Sequence, residues 1–271
     1  MKTTLPVKVH YILRIAVAMC FIGHGVFGII TKPVWCNYFA VFGIGQGFAY
    51  QLMPVVGSVD IVLGIIMLLY PVRAIPLWLV IWGLLTASLR PLSGEPFAEL
   101  IERAGNFGAP LALLVLSGFP KSISGLFKRI NPYTQPDAAT FARLANCLRI
   151  VVFLLFLGHG WLNIIEKKGL LNQYSSIGFS DASQVAQIIG LSEIIAAFIV
   201  LIKPIRQFLV VLLLWKMASE LFYPHHELFE WIERGGSYGT VLALWLMTGK
   251  FSFTKSFSSS NFLLTRHKRF S

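Results

Sequence analysis

Two histidines stand between glycines in apolar surroundings of this chain, at Gly23-His24-Gly25 and Gly158-His159-Gly160, and each is followed by an acid in a second apolar stretch, Asp60 and Glu193. An ionisable pair in hydrocarbon is costly unless it faces a bundle interior, where it can fix helix packing, relay a proton or hold a ligand. Flanking glycines remove bulk and let a neighbouring helix or ligand approach the ring. Lys216 and Glu220 lie four residues apart, on one helical face. An Ile-Glu-Arg-x-Gly element occurs twice, carrying Glu102 and Arg103 and then Glu233 and Arg234. Adjacent side chains on a helix diverge, so each is expected to reach a partner at the mouth of a bundle rather than its neighbour.

Other chemistries find no support. Cys20, Cys36 and Cys147 form neither a CxxC motif nor zinc spacing, and no dinucleotide fingerprint is present. His225, His226, Glu227 and Glu230 could form a metal cluster, but these histidines occur in one half only and read as solvated, so no metal site is assigned.

These residues belong to a duplication. Residues 13–32 and 148–167 align at an offset of 135 with 11 of 20 positions identical, including Arg14 and Arg149 and both Gly-His-Gly triplets. Downstream, Gly57, Asp60, Pro71, Arg73 and Trp82 answer to Gly190, Glu193, Pro204, Arg206 and Trp215 at an offset of 133. Glu99, Glu102, Arg103, Gly105 and Gly108 then match Glu230, Glu233, Arg234, Gly236 and Gly239 at 131.

The chain of 271 residues is 56% hydrophobic and 13% charged, with mean hydropathy +0.70, which implies an integral membrane protein whose partner is the lipid bilayer. The net charge of +11 does not imply nucleic acid, because the lysines and arginines cluster between apolar runs with no basic face interleaved with aromatics. The expected fold class is all-α, with eight transmembrane helices forming two parallel four-helix-bundle repeats. Residues 1–120 would form the first repeat, 121–139 a basic linker, 140–250 the second repeat and 251–271 a basic mobile tail. The expected helices run over about 11–30, 52–70, 73–90, 106–120, 141–166, 185–202, 206–223 and 236–250, with an interfacial loop over 31–51. An amphipathic piece over 94–104, with Phe97, Leu100 and Ile101 on its apolar face, should lie along the membrane surface. Of 23 lysines and arginines, 16 fall in the segment before the first helix, the even-numbered turns and the tail, so both termini should face the cytoplasm.

From assumed helix starts, His24 and Asp60 arrive at a common depth, roughly 18 Å from one boundary and 12 Å from the other. His159 is level with Glu193, and Lys216 and Glu220 lie near that depth. At the positions of Lys216 and Glu220 the first repeat has Gly83 and Ala87. Any active pocket is therefore expected in the second repeat, with the first mainly structural. Axial ligation of a haem by His24 and His159 is an alternative that the symmetry allows, although two separate bundles would keep the rings apart.

An arginine opening helix 1, His-Gly in its middle and Gly-x-x-Glu in helix 2 make the pattern Arg149, His159, Gly160, Gly190 and Glu193, and in the first repeat Arg14, His24, Gly25, Gly57 and Asp60. This resembles the DoxX-like family of four-helix membrane proteins. Many relatives carry a lysine shortly after His-Gly, where this chain has Gly28 and Asn163. The resemblance implies a membrane module of the cytoplasmic membrane, in some relatives associated with a quinone-linked oxidoreductase partner subunit. The expected function is thus a membrane subunit or a quinone-like small-molecule site. A small-solute transporter and a structural scaffold without catalytic activity are the alternatives.

Overall fold

A computed structural model describes residues 4–221 and 228–264, with side chains as far as residue 249. The described residues are helical, with no β-strand, in the order α1 (Leu5–Ile29), α2 (Trp35–Ala40), α3 (Gln46–Leu69), α4 (Ala74–Leu92), α5 (Ala98–Glu102), α6 (Ala104–Ser117), α7 (Ile123–Leu126), α8 (Ala138–Ile164), α9 (Lys168–Ser176), α10 (Ala182–Ile202), α11 (Arg206–Leu221), α12 (Leu228–Glu233) and α13 (Gly235–Leu264). Five of them, α1, α3, α4, α8 and α10, are long and apolar enough to cross a membrane. The apolar α6 is shorter.

Several boundaries differ from the sequence reading. The loop expected over 31–51 contains α2 and the first turn of α3, which starts at Gln46 after an extended Gly45 and carries Pro54 inside. Helix α4 continues through Pro91 to Leu92. Helix α13 runs past residue 250, its expected end, to Leu264.

The long helices α3 and α10 leave apolar side chains outward, among them Val55, Val59, Val62, Ile188, Leu191 and Ile195. Such faces suit acyl chains, and between helices in lipid the attraction comes from close packing of small residues rather than from exclusion of water. Where α1 crosses α3, a Cβ on Gly25 would meet the carbonyl oxygen of Gly57 at 2.5 Å, and one on Gly57 would meet that of Gly25 at 2.4 Å. Gly160 and Gly190 make the same reciprocal crossing between α8 and α10, at 2.7 Å each way. Arg14 donates from Nε to the carbonyl of Met67 at 2.8 Å and also reaches Leu68, so it closes the end of α3. Arg149 does the same at the end of α10, on Leu201 and Ile202.

The core lies between the two halves. It is built mainly on α1, α6, α8 and α13, with Leu13, Val17, Leu113, Leu148, Phe156 and Leu244 fully or almost fully buried. The expectation of two separate bundles is corrected accordingly: α12 and α13 pack on α1, and α5 and α6 pack on α8. These contacts come in pairs. A Cβ on Gly23 would meet the backbone nitrogen of Glu233 at 2.5 Å, and one on Gly158 that of Glu102 at 2.3 Å. Gly239 lies against Ala16 and Gly108 against Val151, while Gly105 and Gly236 lie against each other's segments. Lys32 pairs with Glu230, and Lys167 with Glu99.

Candidate functional site

The glycine crossings bring each histidine to its acid. His24 Nδ1 is 2.7 Å from Asp60 Oδ2, and His159 Nδ1 is 2.7 Å from Glu193 Oε2; toward an ionised carboxylate, which can only accept, the ring N–H is the donor. The three residues of each Gly-His-Gly triplet have separate tasks. The first glycine admits the opposite half's Ile-Glu-Arg element, the last admits the same half's second helix, and the histidine sits where the two meet.

The two pairs differ in their surroundings. Around His159, Asn163 donates to the His159 carbonyl at 3.1 Å and to Glu193 at 3.4 Å, and accepts from the Tyr174 hydroxyl at 2.6 Å. Trp215 Nε1 donates to Glu193 Oε1 at 2.7 Å. At the position of Asn163 the first half has Gly28, whose Cβ would run into the Met53 carbonyl at 2.6 Å, so no side chain fits. Trp82, at the position of Trp215, has a buried Nε1 with no hydrogen-bond partner among the described residues. Asp60 is one methylene shorter than Glu193, which accounts for an acid that satisfies its histidine but not this indole. His24 instead carries the Trp35 ring against it, centroids 4.7 Å apart.

Of the mouth residues, Glu102 and Arg234 reach each other across the halves, while Glu233 makes no ion pair or side-chain hydrogen bond among the described residues. Arg234 donates from Nη1 to both oxygens of Glu102, at 2.9 and 2.8 Å, and its Nε lies 3.5 Å from Glu220. Lys216, fully buried, pairs with Glu220 and lies 3.4 Å from Glu102. One expectation is overturned: Arg103 pairs with the adjacent Glu102 at 2.7 Å. The divergence of neighbours holds only within a helix, and the chain leaves α5 at Arg103, with φ −87° and ψ 17°. The amphipathic piece is also inverted relative to its expected membrane-surface placement. Glu99 and Glu102 are buried against α8, and Phe97 is exposed. Its acids turn inward because Arg90, Arg103, Lys167, Lys216 and Arg234 surround them.

Burial pushes the Glu102 carboxyl up, but Arg234, Lys216 and Arg103 outweigh it and hold the group well below the ordinary glutamate value. Glu99 is lowered in the same way, with Arg103, Lys167 and Arg90 prevailing over desolvation. Glu233 is lowered too, burial being opposed by Arg103, Arg234 and His24.

These groups face a cavity of about 590 Å³. His24 and His159 both line it, with Lys32, Arg90, Arg103, Lys167 and Arg234, the carboxylates Glu95, Glu99, Glu102, Glu220, Glu230 and Glu233, and an aromatic wall that includes Phe27, Trp35 and Tyr38. Most lining residues precede residue 121, so the expectation of a pocket confined to the second repeat is corrected. Asp60, Glu193 and Lys216 stand behind the lining. The short helices α2 and α9 were not foreseen. Of them, α2 brings Trp35 and Tyr38 to the wall, and α9 brings Leu170 and Gln173. Lys32 and Lys167, with the aromatics around 35–42, were the sequence signal that could have revealed this contribution.

Among the described residues no group of three or more His, Cys, Asp or Glu could hold a metal. His225, His226 and Glu227 lie outside the described residues. No family model, curated protein or solved structure significantly matches this chain.

Proposed function

We propose that this chain is a DoxX-like membrane module duplicated within one polypeptide, with eight spans in two parallel repeats, and that its shared cavity is a binding site for a small molecule with a polar head. The observation that carries this reading is the cavity itself. Two imidazoles line it with Nδ1 engaged by a carboxylate, which leaves Nε2 as the ring nitrogen for a ligand. Aromatic side chains supply an apolar flank for the rest of such a molecule.

Orientation follows from charge. The five cationic residues of the lining, Lys32, Arg90, Arg103, Lys167 and Arg234, all belong to the seven lysines and arginines outside the basic segments at the other end. With the basic face and both termini in the cytoplasm, the cavity lies toward the opposite side.

The test is mass spectrometry of small molecules released when the purified full chain is denatured, run beside Thr86→Trp, which would fill the cavity wall. A molecule released by the native chain and depleted in the variant supports the reading, and a quinone released in this way would assign the cavity to redox chemistry with a membrane oxidoreductase partner. Identical contents in two equally stable proteins would make the cavity structural space only.

A further inference from the structure

The cavity lining carries five cations and six carboxylates, and the sixth cation, Lys216, stands behind it against Glu102 and Glu220. Each lining cation has a carboxylate contact: Lys32 has Glu230, Arg90 has Glu95 and Glu99, Arg103 has Glu102, Lys167 has Glu99, and Arg234 has Glu102 and Glu220. The sixth lining carboxylate, Glu233, has neither an ion pair nor a hydrogen bond among the described residues. It is only 8% exposed. Neither of its oxygens is among the buried side-chain atoms closed off without a partner, so the carboxylate opens to the cavity and is left for water or a ligand to satisfy.

The other half shows what such a carboxylate takes. Glu102 occupies the matching position and takes three cations, Arg103 at 2.7 Å, Arg234 at 2.8 Å and the Lys216 ammonium at 3.4 Å; of these Lys216 is the one whose matching position in the first half holds no cation. At the positions matching Lys216 and Glu220 the first half has Gly83 and Ala87, which supply neither an ammonium nor a competing acid. We propose that the ligand of this cavity carries a cationic nitrogen, an alkylammonium group, that docks on Glu233 where the chain provides no lysine of its own. The aromatic wall already holds cations of this chain, with Lys32 4.1 Å from the Phe27 ring centroid and Arg90 5.4 Å from that of Tyr38, so it is a surface on which a cationic head and its aliphatic stem can rest. This inference rests on the small-molecule reading of the cavity and names the chemical class of its ligand.

The experiment is calorimetric titration of the full chain in lipid nanodiscs with isoamylamine, isoamyl alcohol and isovalerate, which share a branched tail and differ in head charge. The amine is expected to bind, and the alcohol and the acid to bind at least about tenfold more weakly. Glu233→Gln should weaken the amine by about tenfold or more and leave the alcohol unchanged. Because loss of this charge could unsettle the surrounding arginines, Glu233→Asp provides a second variant that keeps the charge and withdraws it by one methylene; it should also weaken the amine selectively. Equal binding of amine and acid, no binding of the amine, or amine binding indifferent to both variants would overturn the inference. If isovalerate alone binds, and Thr86→Trp abolishes that binding, the cavity remains a ligand site and only the cationic class is wrong. If no probe binds and Thr86→Trp releases the same small molecules as the native chain, both readings fall.

Discussion

Gly158 of α8 lies directly beneath the backbone of Glu102, so that a Cβ added there would meet the Glu102 nitrogen at 2.3 Å. Gly23 stands in the same relation to Glu233, at 2.5 Å. A clash with backbone cannot be relieved by turning a side chain, so Gly158→Ala should cost about 3 kcal/mol. Gly45→Ala, where nothing lies within 4 Å, should be close to neutral. Thermal unfolding of the detergent-solubilised chain measures both, and a neutral Gly158→Ala would contradict this packing.

Trp215 and Trp82 offer a matched pair. Trp215→Phe removes a donor from the Glu193 carboxyl and should destabilise by about 1–3 kcal/mol, the range for leaving a buried acceptor unsatisfied. Trp82 Nε1 has no partner among the described residues, so Trp82→Phe should be neutral or slightly stabilising. Equal losses in the two variants would mean that both indoles donate.

Acid should weaken the junction between the halves. Glu99, Glu102 and Glu233 have folded-state values below the ordinary 4.5, so their contribution is complete above about that pH and is lost as pH falls through the lowered values. An unfolding temperature that is flat from neutrality to about pH 5 and falls below it is the expected profile. Glu102→Gln should lower the plateau, because it leaves Arg103, Lys216 and Arg234 short of a shared partner. A profile that improves in acid would reverse the sign.

Topology can be tested at two exposed serines. In a cysteine-free background, a membrane-impermeant maleimide applied from the cavity side should label Ser180→Cys, between α9 and α10, and spare Ser124→Cys in the basic linker. Labelling of both from one side of a sealed membrane would refute the proposed orientation.

The apolar runs, the two triplets and the arginines before them could be read from the sequence because each rests on local spacing along one helix or on a simple offset. The His24–Asp60 and His159–Glu193 pairs could also be read, since depth in a membrane follows from residue count along a straight helix. The partners of Glu102 and Arg234 could not. They lie in different halves, and their meeting depends on α5 and α12 crossing to the opposite first helix. The orientation of α5 misled for a related reason: a pattern of apolar residues identifies the inner face only when water lies outside and the interior is apolar. Here the interior at the mouth is charged, and Phe97 faces outward.

The placement of α12 over α1 has a consequence for how the molecule is made. When the first half emerges from the ribosome, the groove above Gly23 is bare, and the segment that will close it has not yet been translated. The α1 side of the cleft around His24 and Asp60 therefore stays open until residues 228–233 have been made, so a chain stopped before them would lack that wall.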